Sequence, residues 1–395
     1  MTVAAAMPAS LARLRSASRR WGLRRARVAR AAPHLAAKVA PPLVDGAAPH
    51  LVAKVTSPLV AEAAPHLAAG TGGTGRWRTD QVTVTGTGVA VAVVGCRRTG
   101  RRLVLKVPYT AEGAQRLDRQ AEVLTALHAD PRLDGWRSVA PRHLGHGEAG
   151  GLRYWVEEAV PGRPPGAALL RGARDGGVLD TAATLVADLH ARTGEQRLLD
   201  RATVEAWVEQ PLRRIEAYCA GWGWARPGRA RLGRARLGRA RLLEAAGQVR
   251  AELSAALSGR TVRACWIHGD FWPGNLLASG RVTTGVVDWD QAGAGQLPLH
   301  DLLHLHIMAR RMTTGDELGG VVARALREGV AVAVGVRPER VASWLGGIPP
   351  RPAVLLYWLR HVSLFIDSEG HRDNPRWLRG NVERVLCAAA GGAGD

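Results

Sequence analysis

Between Cys265 and Leu305 the chain places one asparagine and two acids at spacings that serve chemistry on a phosphate: Asp270, Asn275 and Asp288. An apolar run, Ala264 to Ile267, leads into His268-Gly269-Asp270, and Pro273-Gly274 tightens the backbone so that Asp270 and Asn275 point into one cavity. A second short strand, Gly285 to Val287, delivers Asp288. Two oxygen donors, Asn275 and Asp288, suit a Mg²⁺ that keeps its other positions for water and nucleotide phosphates. Asp270 is then left to accept a proton from a hydroxyl.

The chain around this stretch must supply a body that holds it. At 395 residues with 46% apolar content it is long enough for one large or two ordinary domains with a real core. The longest apolar runs, Val89 to Val94 and Val330 to Val336, are strand-sized, well short of the roughly 18 residues that cross a bilayer. Cys96, Cys219, Cys265 and Cys387 are scattered without a CxxC pair, which argues against a disulfide scaffold or a thiolate zinc site and fits a reducing cytoplasm. The net charge of +20 would point to a polyanion if it covered a folded face. Instead, eight arginines without an acid lie in residues 1–30 and seven between Arg226 and Arg241, so most of the excess sits in two segments. No specific nucleic-acid partner is expected, and the Arg-rich segments offer at most a weak anionic-surface contact.

Taken in order, residues 1–75 read as a low-complexity extension. A basic arm is followed by a 16-residue repeat starting at Ala31, Ala47 and Ala63, and six prolines between Pro33 and Pro65 interrupt any helix. The Arg19-Arg20 pair is not followed by a signal-type apolar stretch before Pro33, so export is not expected. From Trp77 alternation begins, and three strands joined at Gly86-Thr87-Gly88 and Thr99-Gly100 make an antiparallel meander. A helix from Glu112 to Ala129 follows, with Glu122 near its apolar stripe. Leu152 to Val160 reads as the last strand of this first region, and Thr181 to Ala191 and Trp207 to Ala220 as helices of a second. GRARL then repeats three times from Gly228 to Leu242, where Gly233 and Gly238 weaken a helix and a period of five winds the arginines around it as an exposed basic insertion. Further helices are expected over 299–310, 316–328, 338–345 and 353–366.

One usage bias singles out a cation. Only Lys38, Lys54 and Lys106 are lysines among 54 basic residues, and only Lys106 lies outside the repeats. A compact ammonium differs from a planar guanidinium in reach and geometry, so the choice at 106 asks for a chemical reason.

These residues resemble the aminoglycoside phosphotransferase family, the small-molecule branch of the protein-kinase-like fold. The family's catalytic-loop pattern, His-Gly-Asp, four residues, Asn, then an apolar-apolar-Asp-Trp segment about a dozen residues on, is matched by His268 to Asp270, Asn275 and Val286 to Trp289. The resemblance implies an α+β bilobal fold: a small antiparallel sheet over residues 76–158 as nucleotide-binding lobe and a mostly helical lobe over 159–395 with the catalytic loop and acceptor site. It implies Asp270 as catalytic base, Asn275 and Asp288 as Mg²⁺ ligands, and Lys106 paired with Glu122 at the α/β-phosphates. It also implies a glycine loop at Gly86 and Gly88 over the phosphates, and a purine-binding hinge at Val156, Glu157 and Glu158. Asp301 matches a family aspartate read as structural support. The implied reaction moves the γ-phosphoryl group of ATP, with GTP as the other donor, to a hydroxyl of an aminoglycoside, sugar or related metabolite.

Other patterns are set aside. The GxGxxG frames at Gly70 and Gly145 lack the strand-to-helix context of a dinucleotide site and are read as turns. His300, His304 and His306 lack a third close ligand and are read as packing or polar helix residues. Trp207, Trp222, Trp224, Trp272, Trp344, Trp358 and Trp377 could line an acceptor pocket or fill a core, and the sequence leaves both readings open. The competing class is a catalytically inactive kinase-like binding or regulatory protein, which would be expected to lose Lys106, Asp270, Asn275 or Asp288.

Overall fold

The structure is a computed structural model that describes residues 77–149, 151–166, 170, 177–221, 229–366 and 374–391. The expected extension over 1–75, Trp222 and Trp224 lie outside them. The described residues divide into two units: 77–129 together with 140–160, and 130–139 together with those from 161 to 391.

In the first unit the alternating segments pair as antiparallel strands β1 (Trp77–Val84), β2 (Val89–Cys96) and β3 (Arg102–Pro108). Strands β4 (His143–Ala149) and β5 (Leu152–Glu158) complete a five-stranded sheet in the order β1-β2-β3-β5-β4. The two-residue period puts Ala92, Val94, Leu103, Leu105, Val107, Tyr154 and Val156 in one apolar cluster. On the opposite face Lys106 lies across from Trp155, and Val104 across from Glu157. Helix α1 (Ala111–Ala129) covers that second face through Leu117, which packs with Val89 and Trp155.

The second unit is mostly helical around two small sheets. Helix α2 (Val178–Thr193) packs on β7 (Thr261–Ile267), the central strand of a sheet ordered β10-β7-β6 with β6 (Glu195–Leu198) and β10 (Gly293–Gln296). Strands β8 (Leu276–Ser279) and β9 (Val282–Val286) form a separate hairpin. Helices α3 (Gln210–Gly221), α4 (Arg229–Leu257), α5 (Leu299–Thr314), α6 (Leu318–Glu328) and α7 (Pro350–Phe365) make up most of the rest. Helix α7 is buried nearly all round, with Tyr357 and Trp358 fully enclosed, as the central helix of such a unit should be.

The GRARL repeat, read as a weakened helix, is from Arg229 an uninterrupted part of α4, and two other expectations need correction. Leu242, Ala245, Val249, Leu253 and Leu257 make a buried stripe at helical spacing downstream, and a helix nucleated there propagates back through weak formers. The run at Val330 is a short helix, Val330–Val334, bounded by Gly329 and Gly335 at positive φ. Val330, Ala333 and Val334 bury at i, i+3 and i+4, so packing overrides β propensity. The frame from Gly145, read as a turn, runs through β4. Gly147 is there because a Cβ would stand 2.6 Å from the Tyr154 hydroxyl.

Two glycines of the meander separate strain from sterics. Gly88 (φ 82°) and Gly100 (φ 69°) both adopt left-handed backbone, but only at Gly88 would a Cβ meet Thr110 Oγ1, at 2.0 Å, whereas nothing lies within 4 Å at Gly100. Gly100→Ala should cost about 1 kcal/mol of backbone strain. Gly88→Ala should cost about 1–2 kcal/mol more, since the Thr110 hydroxyl that receives the Gly113 amide must move. Denaturant unfolding of both variants checks the order.

Candidate active site

The loop that carries Asp270 is built outward from a buried carboxylate. Strand β7 ends at Ile267, and Asp301, in the first turn of α5 and fully enclosed, accepts the amides of His268 (2.8 Å, Oδ2) and Gly269 (2.8 Å, Oδ1). His190 of α2 completes the set at 3.1 Å from Oδ2. Burial alone would push the Asp301 carboxyl up, but the His190 hydrogen bond and charge, with His268, hold it below the usual carboxylate range. Gly269 has φ 82°, and a Cβ there would stand 2.1 Å from the Gln291 carbonyl. Arg360 of α7 donates to both Gly269 O (3.1 Å) and Gln291 O (3.3 Å), tying the loop before Asp270 to the loop after Asp288.

Asp270 follows directly, with a quarter of its side chain exposed. Asn275 Nδ2 donates to its backbone carbonyl (2.9 Å) and to its Oδ2 (3.0 Å). His304 Nε2 lies 3.0 Å from Oδ1. Burial would raise this carboxyl too, but the hydrogen bond from His304, with His268 and the Asn275 amide, brings it below its ordinary value, so the group is a carboxylate at neutral pH. His268 Nδ1 accepts the Asp270 amide at 3.3 Å while Nε2–H donates to Val287 O at 2.9 Å, which fixes its tautomer.

Asn275 and Asp288 are brought together by one backbone bond, from Val287 N to Asn275 O at 2.9 Å. Asp288 is exposed and has φ 66°, the one non-glycine positive φ among the described residues. Next to it Trp289 is buried between His268 (ring centroids 4.5 Å) and Trp136 (5.9 Å), so packing compels the turn that Asp288 makes. The donor set fits Mg²⁺. Donation by Nδ2 turns the Asn275 Oδ1 away from Asp270, and among the described residues no group of three His, Cys, Asp or Glu converges as an all-protein cage would. Two oxygen donors leave the remaining octahedral positions to water and phosphate.

In the first unit Lys106 and Glu157 form a buried ion pair at 3.1 Å. Gln120 of α1 holds the other Glu157 oxygen at 2.5 Å. Glu122, the expected partner, is exposed on α1, because the helix turns Gln120, Val123 and Leu124 inward and leaves 122 on the solvent face. Val156, Glu157 and Glu158 are not a free-edged hinge: β5 is flanked by β3 and β4, and the Glu158 and Ala159 amides already donate to Arg142 O and Arg102 O. Gly86 and Gly88 form the β1–β2 turn, where Gly88 O accepts the Tyr109 amide at 2.8 Å. Of the tryptophans left open, Trp344 and Trp358 are core, while Trp207, Trp272 and Trp377 keep partial exposure. Sequence reasoning missed Glu157 as the lysine's partner, Arg360, and the contact of His304, which it read as a packing or polar helix residue. The i, i+3 spacing of Asp301 and His304 was the available signal, since it puts both on the α5 face toward the loop.

Two variants test these assignments. Glu157→Gln should strip the buried Lys106 of its carboxylate, lowering stability by about 3 kcal/mol and weakening nucleotide binding, whereas Glu122→Gln should stay within about 0.5 kcal/mol of the parent. Chemical denaturation and nucleotide calorimetry read both. Asp301→Asn should cost about 2–4 kcal/mol at neutral pH. A folded-state pKa held below the unfolded one contributes stability that is full above the unfolded value, near 3.8, and is lost as pH falls through the folded value. The gap between parent and variant should therefore be flat above about pH 5 and shrink in acid, as unfolding curves across pH will show.

The sequence profile described as the phosphotransferase enzyme family (APH) matches residues 86–340. No curated protein sequence matches the chain. Among solved structures, a thermostable form of aminoglycoside phosphotransferase APH(4)-Ia, in ternary complex with AMP-PNP and hygromycin B, aligns with 85% of this chain and 99% of its own at 16% identity and TM-score 0.50. The GDP and kanamycin complex of APH(2″)-IIia aligns over 80% and 94% at 18% identity and TM-score 0.45. Aminoglycoside phosphotransferase APH(3″)-Id from Streptomyces rimosus aligns over 78% and 98% at 19% identity and TM-score 0.39. With the family profile running from the β1–β2 turn past the Asp301 helix, over more than half the chain, this protein belongs to the phosphotransferase enzyme family.

Proposed function

We propose that this chain moves the γ-phosphoryl group of a nucleoside triphosphate, ATP before GTP, to a hydroxyl of a small molecule such as an aminoglycoside, a sugar or a related metabolite. Family membership supports small-molecule phosphotransfer in general. The observation that carries the particular reading is the Asp270 carboxylate, ionised, partly open to solvent, and held by Asn275 and His304 on its two oxygens. A carboxylate so fixed can align an acceptor hydroxyl and take its proton as the oxygen attacks phosphorus, while the β–γ bridging oxygen leaves with the nucleoside diphosphate. Asn275 Oδ1 and Asp288 would hold Mg²⁺, which when bound supplies neutralisation of the phosphate oxygens. Lys106, buried with Glu157, supplies a fixed ammonium suited to α/β-phosphates.

The purine edge is assigned past the strand, from Val160 onward, since the amides of Glu158 and Ala159 are already used. Residues 1–75 are read as an extension outside the catalytic body, and a cytoplasm that supplies nucleotide and Mg²⁺ suits the reaction. The inactive alternative gains nothing from the geometry, because none of Lys106, Asp270, Asn275 and Asp288 is replaced.

The test is ³¹P NMR of the protein with MgATP and a panel of aminoglycosides, sugars and amino alcohols. A new phosphomonoester resonance should appear in step with ADP. Asp270→Asn should remove it, lowering turnover roughly 10²–10⁴-fold with nucleotide affinity nearly kept. ADP formation without any phosphorylated acceptor, at the parent rate in Asp270→Asn, would sink the proposal.

A further inference from the structure

Deepening that reading of Asp270, we infer that His304, backed by Tyr357, is a positioning residue for the catalytic carboxylate. Asn275 restrains only Oδ2 of Asp270, which leaves rotation about the Cβ–Cγ bond to be fixed from the other side. His304 does this from α5, with Nε2 at 3.0 Å from Oδ1. Its own orientation is set twice. Nδ1 lies 2.9 Å from the Tyr357 hydroxyl, and the ring stacks on His361 of α7 at 4.0 Å between centroids and 6° between planes.

These neighbours decide which atom carries the proton. The Asp270 carboxylate can only accept, so Nε2 carries the proton that faces it, and Nδ1 is left to accept the O–H of the completely buried Tyr357. His361 and His300, both buried and with Arg360 nearby, are pushed well below the ordinary histidine range by desolvation, so neither competes as a cation for the carboxylate. The arrangement is Tyr357 O–H to His304 Nδ1, and His304 Nε2–H to Asp270 Oδ1. In it the imidazole takes no proton from the reaction. It fixes the plane of Asp270 so that the free lone pairs face the acceptor hydroxyl.

This inference rests on Asp270 being the base, so two readouts are needed. In the transfer assay, His304→Phe keeps a flat ring against His361 but removes the donor. It should lower kcat about 10–10²-fold, the cost of misplacing a reacting group, with KM for nucleotide changed less than about twofold. His304→Gln, whose amide can donate to Oδ1, should recover part of the loss, and Tyr357→Phe should show a smaller fall. A structural role alone would lower the thermal midpoint of all three without the kcat-against-KM split or the glutamine rescue, and that result, or a parent kcat in His304→Phe, overturns the inference.

The second readout needs no turnover and no variant. In ¹⁵N-histidine-labelled full-length protein at neutral pH, the His304 imidazole should show a proton on Nε2 and a bare Nδ1. A proton found on Nδ1 in the parent overturns the inference. If the parent transfers no phosphoryl group to any acceptor, the proposed function fails, while the ring spectrum still decides the contact between His304 and Asp270.

Discussion

The second unit's chemistry depends on the two amide hydrogen bonds that Asp301 accepts from His268 and Gly269. A carboxylate with no solvent exposure is costly unless its charge is met, and here two backbone dipoles and His190 meet it. The same bonds anchor the chain as it leaves β7, one residue before Asp270. Gly269 can then take its left-handed turn against Gln291 O, and Arg360 closes the connection between the loops that carry Asp270 and Asp288. Helix α5 thus fixes the loop from behind through Asp301 and from the front through His304, one helical turn later.

Around this clamp the unit concentrates aromatic and imidazole rings where polar loops must stay dry. His268 packs against Trp289 and Phe271, and Trp289 against Trp136, which lies in the 130–139 segment and anchors its indole N–H on Leu185 O of α2. His306 stacks on Trp344 at 4.8 Å, and burial brings its pKa down to about 4. Histidines kept neutral behave as flat packing groups, so the histidine-rich sequence of α5 serves both the core and, at one position, the site. The left-handed backbone of Asp288 is a local cost of about 1 kcal/mol that this packing sustains.

Much of this was legible in the sequence, and the reasons for the failures are physical. Spacing of His268, Asp270, Asn275 and Asp288 identified the loop because each lies within a few residues of a strand end, where local geometry dominates. Alternation and the glycine turns between them placed β1 to β3, and the run from Leu152 placed β5. What spacing could not reveal was which of several acids meets a buried lysine. Glu122 and Glu157 were both available, and only the register of β5 against β3, with the phase of α1, puts Glu157 beside Lys106 and turns Glu122 to solvent. Strand β4 was hidden by its glycines, of which Gly147 makes room for the Tyr154 ring on the neighbouring strand. His304 and Tyr357 are 53 residues apart, and no local pattern links them.

Asp301 presets the loop that carries Asp270 in the protein without substrate. Native-state hydrogen exchange of the His268 and Gly269 amides reads this directly. Both should exchange with an opening free energy close to that of global unfolding, as buried bonds to a fixed carboxylate require. Exchange of these two amides at rates typical of open loops, with β7 and α5 still protected, would show that the loop is not held by Asp301, and the account built on that clamp would be wrong.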